Sequence, residues 1–126
     1  MKILINASNH KLSENQTAPF FGVKELPEEL KVKWGNVTPE TINSIMESFY
    51  DFMESTPISV GVEYFVHLAG HADLIASIVR DQKFNLIYAH SERNVEEVTN
   101  EDGTVTKKSV FNFKGWYYYI THERVM

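Results

Sequence analysis

Cysteine is absent from this chain of 126 residues. Its absence excludes a disulfide scaffold, a thiolate zinc site and a cysteine nucleophile. No apolar run approaches the roughly 20 residues that a membrane-spanning helix needs. The first residues lack the apolar stretch and cleavage site of a signal peptide. The sequence therefore predicts a cytoplasmic protein without a membrane partner.

Positive charge is scarce, because 12 Lys and Arg face 17 Asp and Glu, for a net charge of -5. Unselective binding to a phosphate backbone needs a broad basic surface, so a DNA duplex is not an expected partner. An anionic ligand would need a local pocket. Hydrophobic residues make up 43% of the chain, which is enough for a folded core. The length suits a single domain spanning residues 1–126.

Short apolar runs alternate with stretches in which apolar residues recur every three or four positions, as in alternating strands and helices. The clearest helix has Thr38 as its N-cap and Pro39 at its first position, and ends before Pro57. Asp102-Gly103 predicts the turn of a hairpin. These patterns predict an α/β fold, a sheet flanked by helices and closed by a hairpin. Strands are expected at 3–5, 23–26, 58–68, 84–89, 95–98, 105–110 and 116–120, with further helices near 13 and over 74–79.

Polar clusters follow three of the predicted strands. In open α/β sheets, ligands bind at the carboxyl ends of the strands, so we expect these clusters to meet at one edge. They are Asn6, Ser8, Asn9 and His10; Gly70, His71 and Asp73; and His90, Ser91, Glu92 and Arg93.

Each cluster has a functional and a structural interpretation. Gly70 precedes a helix whose N–H groups could hold an anion, or it simply ends a strand. Arg93 could hold a phosphate with its guanidinium fork, or pair with Glu92 or Glu96 on the surface. His10 could transfer a proton, or only hydrogen-bond within its loop. None of the five histidines forms the i, i+4 pair with an intervening Glu that marks a zincin helix. His67 and His71 are four apart, but a strand-to-helix break is expected between them, so no metal site is predicted.

Aromatic residues crowd the C-terminal region from Phe111 to Tyr119. They could stack on nucleobases, but the two faces of a strand explain most of them as core and half-buried surface. Lys114 interrupts this run and could project towards a ligand.

Four segments match one family in the same order along the chain. The segments are Asn9-His10-x-Leu12-Ser13-x-x-Gln16; Leu26-Pro27-Glu28-Glu29-Leu30 with Trp34-x-Asn36-Val37-x-Pro39-Glu40; Tyr88-Ala89-His90-Ser91-Glu92-Arg93; and Ser109-Val110-Phe111. In these segments the chain resembles, over nearly its whole length, the small CARF-like ring nucleases, accessory proteins of type III CRISPR systems.

The resemblance implies a Rossmann-like (CARF-like) homodimer with a mostly parallel sheet, which binds a cyclic oligoadenylate, most plausibly the four-membered ring. It further implies cleavage of that ring without a metal or other cofactor. On this interpretation Arg93 stabilises the phosphorane charge and His10 is the acid or base. The other expected ligand-binding residues are Asn6, Ser8, Asn9, Gly70, His71, Ser91 and Lys114.

Two segments depart from the family pattern, namely Gly70-His71-Ala72-Asp73 and the C-terminal strand from Asn112 to Tyr119. The second departure favours an alternative, a binding module that sequesters the cyclic nucleotide without cutting it. A further alternative is an interaction protein that uses its aromatic strand as a partner surface.

Overall fold

The computed structural model describes residues 1–57 and 59–126. It confirms the predicted α/β fold, with a mostly parallel sheet, flanking helices and a C-terminal hairpin. Within the described residues, none of the helices has the length and apolar character that crossing a membrane demands. The elements are β1 (Lys2–Ala7), α1 (Glu14–Thr17), β2 (Gly22–Glu25), α2 (Glu28–Trp34), α3 (Ile42–Glu54), β3 (Glu63–Leu68), α4 (Ala72–Asp81), β4 (Leu86–Thr99) and β5 (Val105–Tyr118).

The five strands form one sheet in the order β2-β1-β3-β4-β5. The first four are parallel, and β5 runs antiparallel to β4. The chain leaves β1 towards β2 and later crosses back to β3 on the other side of β1. The sheet therefore has a topological switch point between β1 and β3.

Two apolar layers cover the sheet. The thicker one packs α2, α3 and α4 on Ile5 and Val66, with Phe49 fully buried at its centre. Burial of such an aromatic side chain stabilises the fold by about 1.5–3 kcal/mol. The thinner layer lies under the short helix α1, where Phe20 and Trp116 cover Leu4 and other sheet residues. The second face is covered by Leu12 and Phe20, which lie on either side of α1, and by the C-terminal residues Val125 and Met126.

The helix boundaries differ in part from those predicted. α1 begins after Ser13, whose side chain forms a capping box with Gln16, which confirms the helix predicted there. The prediction that Thr38 caps the long helix is wrong, because α3 begins at Ile42 with Thr41 as N-cap. The Thr41 hydroxyl accepts the Thr38 N–H at 2.9 Å, so a polar turn occupies that stretch. The sequence reasoning missed α2.

The largest difference concerns the polar run from His90 to Arg93, which was expected to be a loop after a strand ending at Ala89. In the structure β4 continues through this run to Thr99 and pairs with β5 from end to end, with a bulge at His90/Ser91. Beyond His90 nearly all of these side chains are exposed. The predicted hairpin strands 95–98 and 105–110 are thus the outer parts of β4 and β5. The polar run from His90 to Arg93 lacks the apolar alternation that marks a strand, so its pairing with β5 was missed.

β3 is shorter than its predicted range. It begins at Glu63, whereas the prediction began at Ile58, which lies outside the described residues. Residues 119 and 120, predicted to end the last strand, follow the end of β5.

Candidate functional site

The carboxyl ends of β1 and β3 lie side by side at the switch point of the sheet. Ala7 pairs with Leu68 in register, so the loops that follow these strands start at the same level. Connections leave this point in opposite directions, which opens a crevice outside the strand ends. The structure thus brings the Asn6 and Gly70 segments to one edge.

A buried hydrogen-bond network centres on the side chain of Asn6. Its Nδ2 donates to the carbonyl oxygen of His10 at 2.9 Å and to Oε1 of Glu25 at 3.3 Å. Its Oδ1 accepts from the Ser8 hydroxyl at 2.6 Å and lies 3.0 Å from Nδ1 of His67. The Ser8 oxygen also accepts the His10 N–H at 3.1 Å. Asn6 and Ser8 therefore hold the loop after β1 and link it to β2 and β3, and their polar side-chain atoms all have hydrogen-bond partners.

The same network determines the tautomer of His67. Since the amide nitrogen of Asn6 donates to two oxygens, its Oδ1 is the acceptor, and Nδ1 of His67 must carry the proton. Nε2 is then an acceptor. Burial, with a smaller contribution from the nearby His10, lowers the pKa of His67 to about 4. The ring packs edge-on against Trp116, with centroids 5.2 Å apart. His67 is accordingly neutral at pH 7.

A cavity of about 360 Å³ opens between the loop after β1 and the ends of β3 and β4. This volume falls at the small end of the roughly 300–1,000 Å³ typical of ligand sites. His10 and Lys11 are exposed at its rim, and the rings of Tyr88 and Tyr119 lie 5.1 Å apart in its wall. The Lys11 ammonium and the two tyrosine rings together suit a ligand with an anionic and a planar part. The lining residues are His10, Lys11, Leu12, Gln16, His67, Leu68, Ala69, Tyr88, Ala89 and Tyr119.

A hydrogen bond from Tyr119 connects the aromatic wall of the cavity to the end of β3. Its hydroxyl donates to the carbonyl oxygen of Leu68 at 2.5 Å. Burial raises the pKa of Tyr119, and the neighbouring Tyr88 raises it further. The hydroxyl therefore stays protonated at neutral pH and continues to donate.

Two other depressions, of about 330 and 370 Å³, lie near the start of β4 around Phe84 and Asn85. No histidine lines either of them. In the described part of the chain, no three His, Asp or Glu side chains come close enough to hold a metal ion. Of these three cavities, the one at the carboxyl edge of the sheet is the one lined by histidines.

Asn9, Gly70 and His71 have structural partners around this edge. Asn9 donates to the Lys31 carbonyl at 3.2 Å and so ties the loop to α2. Gly70 has φ +150°, and a Cβ there would lie 2.8 Å from Nε1 of Trp34. His71 is the N-cap of α4, and its Nδ1 accepts the Asp73 N–H at 3.2 Å. None of the three lines the cavity.

The parts of β4 and β5 at residues 90–99 and 105–115 form a two-stranded ribbon, most of whose side chains are exposed. Ser91, Arg93 and Lys114 lie on this ribbon. The Arg93 guanidinium donates from Nε and Nη2 to the Ser109 hydroxyl, at 3.1 and 2.9 Å. Lys114 Nζ lies 3.9 Å from a carboxylate oxygen of Glu92. Arg93 follows the cavity residue Ala89 by four positions, or about 13 Å of extended strand. The structure does not bring Arg93 to His10.

The sequence reasoning missed His67, Lys11, Tyr88 and Tyr119 as cavity residues. His67 carried a usable signal, because it is a polar residue at the end of an apolar strand, as Asn6 is. The two are paired neighbours on β3 and β1. That pairing becomes visible only once the strand order is known.

Residues 2–117 match the model of one protein family, described as the uncharacterized protein MJ1673 family. The chain belongs to this family. The matched range covers the loop after β1, the end of β3 and the β4 wall of the cavity, and it stops just before Tyr119. Neither a curated protein nor a solved structure matches the chain.

Proposed function

We propose that this protein binds a cyclic oligoadenylate, most plausibly cyclic tetra-adenylate, at the carboxyl edge of its sheet and cleaves it without a metal ion. The observation that carries the proposal is the cavity at the switch point, where His10 and Lys11 stand at the rim and Tyr88 forms part of the wall. Cationic groups suit phosphates and an aromatic wall suits adenine. The resemblance of the Asn9–Gln16 segment to ring nucleases supports the same ligand.

The reaction is an internal transfer at phosphorus. A ribose 2′-oxygen attacks the adjacent phosphorus in line, and the bond from phosphorus to the 5′-oxygen breaks. The products are a 2′,3′-cyclic phosphate and a 5′-hydroxyl, so one proton moves from the attacking to the leaving oxygen. His10 would relay that proton, and Lys11 would stabilise the charge that develops on the phosphoryl oxygens.

A four-membered ring is too large for one cavity of about 360 Å³. A homodimer with twofold symmetry would present the same cavity twice to a symmetric ring. Arg93, on the ribbon, would then contact the parts of the ring that extend beyond a single cavity. Within this proposal Arg93 contributes to ring binding from outside the cavity, and the stabilisation of the phosphorane that was expected of it falls to Lys11.

A second candidate is a module that sequesters the same cyclic nucleotide without cutting it. The position of Arg93 favours this candidate, because the guanidinium expected at the reacting phosphate is bonded to Ser109 on the ribbon. Binding by the cavity would be unchanged, and only turnover would be lost.

Chromatography of cyclic tetra-adenylate incubated with the protein in EDTA separates the two candidates. Multiple turnovers by a catalytic amount of protein support the nuclease. Intact ligand that stoichiometric protein retains until heat denaturation supports the binding module. If the protein retains no ligand and releases no product, both candidates are wrong.

His10→Ala tests the assigned proton relay. We expect cleavage to slow by about 100-fold with a smaller loss of binding, while the matched control His90→Ala, on the ribbon, retains its rate. Normal turnover by His10→Ala would show that His10 is misassigned. Arg93→Ala should weaken ring binding with an unchanged circular dichroism spectrum, since its side chain is exposed.

A further inference from the structure

His67 presents one unpaired acceptor to the cavity. Its side chain is buried, with 5% of its surface exposed, yet His67 is one of the cavity's lining residues. Nδ1 is bonded to Asn6, and among residues 1–57 and 59–126 no group hydrogen-bonds to Nε2. Fully enclosed side-chain nitrogen and oxygen atoms in this part of the chain all have partners. Nε2 is therefore open to the cavity.

We propose that Nε2 of His67 accepts a hydrogen bond from the exocyclic amine of a bound adenine, and so makes the cavity selective for that base. The inference rests on the proposed function in taking this cavity as the nucleotide site. It assigns a specificity residue to the site and does not depend on whether the ligand is cut.

The chemistry of His67 favours a neutral donor over a phosphate. An unprotonated ring nitrogen carries a lone pair, which repels phosphate oxygens and attracts an N–H or O–H group. The low pKa of His67 keeps the ring in this form at neutral pH. A buried acceptor that a ligand leaves unpaired costs free energy, so the site discriminates against ligands that lack the donor.

The surroundings indicate that this donor belongs to a base. Leu12, Ala69 and Ala89 contribute apolar surface to the cavity, and Tyr88 contributes an aromatic ring. A planar purine fits such walls better than a hydrated sugar phosphate. The Lys11 ammonium at the rim would hold a phosphate, so the base enters the cavity and the backbone of the ring stays outside.

The test is an NMR titration with three nucleotides: AMP, purine riboside 5′-monophosphate, which lacks the exocyclic amine, and 2′-deoxy-AMP, which lacks the ribose hydroxyl. For the wild-type protein we expect the purine riboside nucleotide to bind about tenfold more weakly than AMP. His67→Leu should bind these two nucleotides equally. His67→Gln, which keeps a donor for Asn6 and an acceptor for the cavity, should restore the preference.

The 15N resonance of His67 Nε2 provides a second measurement on the unaltered protein. It should move upfield on addition of AMP and not on addition of the purine riboside nucleotide. If only 2′-deoxy-AMP binds weakly, and His67→Leu removes that difference, the donor is the ribose hydroxyl and adenine selection is refuted.

A purely structural role would make His67→Leu weaken all three nucleotides by the same factor, which would overturn the proposal. Failure of the wild-type protein to bind any of them at millimolar concentration would overturn it too. A protein that prefers AMP but does not cleave cyclic tetra-adenylate would retain this inference and refute the nuclease. A protein that cleaves cyclic tetra-adenylate but binds AMP and the purine riboside nucleotide equally would support the nuclease and refute this inference.

Discussion

Lowering the pH from 7 to 5 should destabilise the folded protein through His67. The pKa of this residue is about 4 in the folded protein against an ordinary value of 6.5, chiefly because of burial. Between these values the unfolded chain binds a proton that the folded protein excludes. The free energy of unfolding therefore falls as the pH falls through this range, and the contribution is absent above pH 7.

The magnitude follows from the two pKa values. The full difference corresponds to about 3 kcal/mol, reached below pH 4, and about 2 kcal/mol of it is lost between pH 7 and 5. The groups around the ring explain why the folded protein does not accept the proton. Nδ1 already donates to Asn6, Trp116 packs against the ring, and His10 is a nearby group of the same charge type. A second proton on Nε2 would be a buried charge without a carboxylate partner.

Urea unfolding at pH 7 and pH 5 measures this effect. His67→Gln removes the titrating group, and His90→Gln is the matched control at an exposed histidine of the ribbon. The wild-type protein and His90→Gln should lose about 2 kcal/mol more than His67→Gln over this range. Equal losses in all three proteins would refute the assignment of acid sensitivity to His67.

Two substitutions test how the edge of the sheet is built. Gly70→Ala should lower the free energy of unfolding by about 2 kcal/mol, because the added Cβ would lie 2.8 Å from Nε1 of Trp34. The control is Gly22→Ala, whose added Cβ would make only ordinary contacts. It should change the free energy of unfolding by less than about 0.5 kcal/mol. Trp116→Phe removes the indole N–H that donates to the Gln16 carbonyl at 2.9 Å, and it should cost about 1–2 kcal/mol in urea unfolding and weaken nucleotide binding at the adjacent cavity. Equal stability of the two glycine variants, or unchanged nucleotide affinity in Trp116→Phe, would contradict these accounts.

Much of the fold could be predicted because local physical chemistry determines it. The apolar spacing along residues 42–53 defines a helix face wherever the helix packs, and Ser13 with Gln16 forms a cap from neighbouring residues alone. Asp102-Gly103 turns the chain because Gly103 adopts a positive φ of 84°. Each of these signals depends on residues within a few positions of one another.

The hairpin strands 95–98 and 105–110 were predicted, but their continuation through the polar run from His90 to Arg93 was not, since that run has no buried face. Glu96 and Glu97 pair with Lys108 and Lys107 across the two strands, so cross-strand partners replace the alternation that normally marks a strand. The expectation that Arg93 follows a strand end failed for this reason. Arg93 lies in the part of β4 that extends beyond the end of β3 and pairs only with β5.

The sequence by itself determined the α/β class and placed polar residues after β1 and β3. Only the tertiary structure decided which of them share a cavity, because strand order sets which side chains become neighbours. Asn6 and His67 are 61 positions apart, yet the parallel pairing of β1 with β3 brings Asn6 Oδ1 within 3.0 Å of Nδ1 of His67. That contact sets the tautomer of a buried histidine, and no pattern along the chain could reveal it.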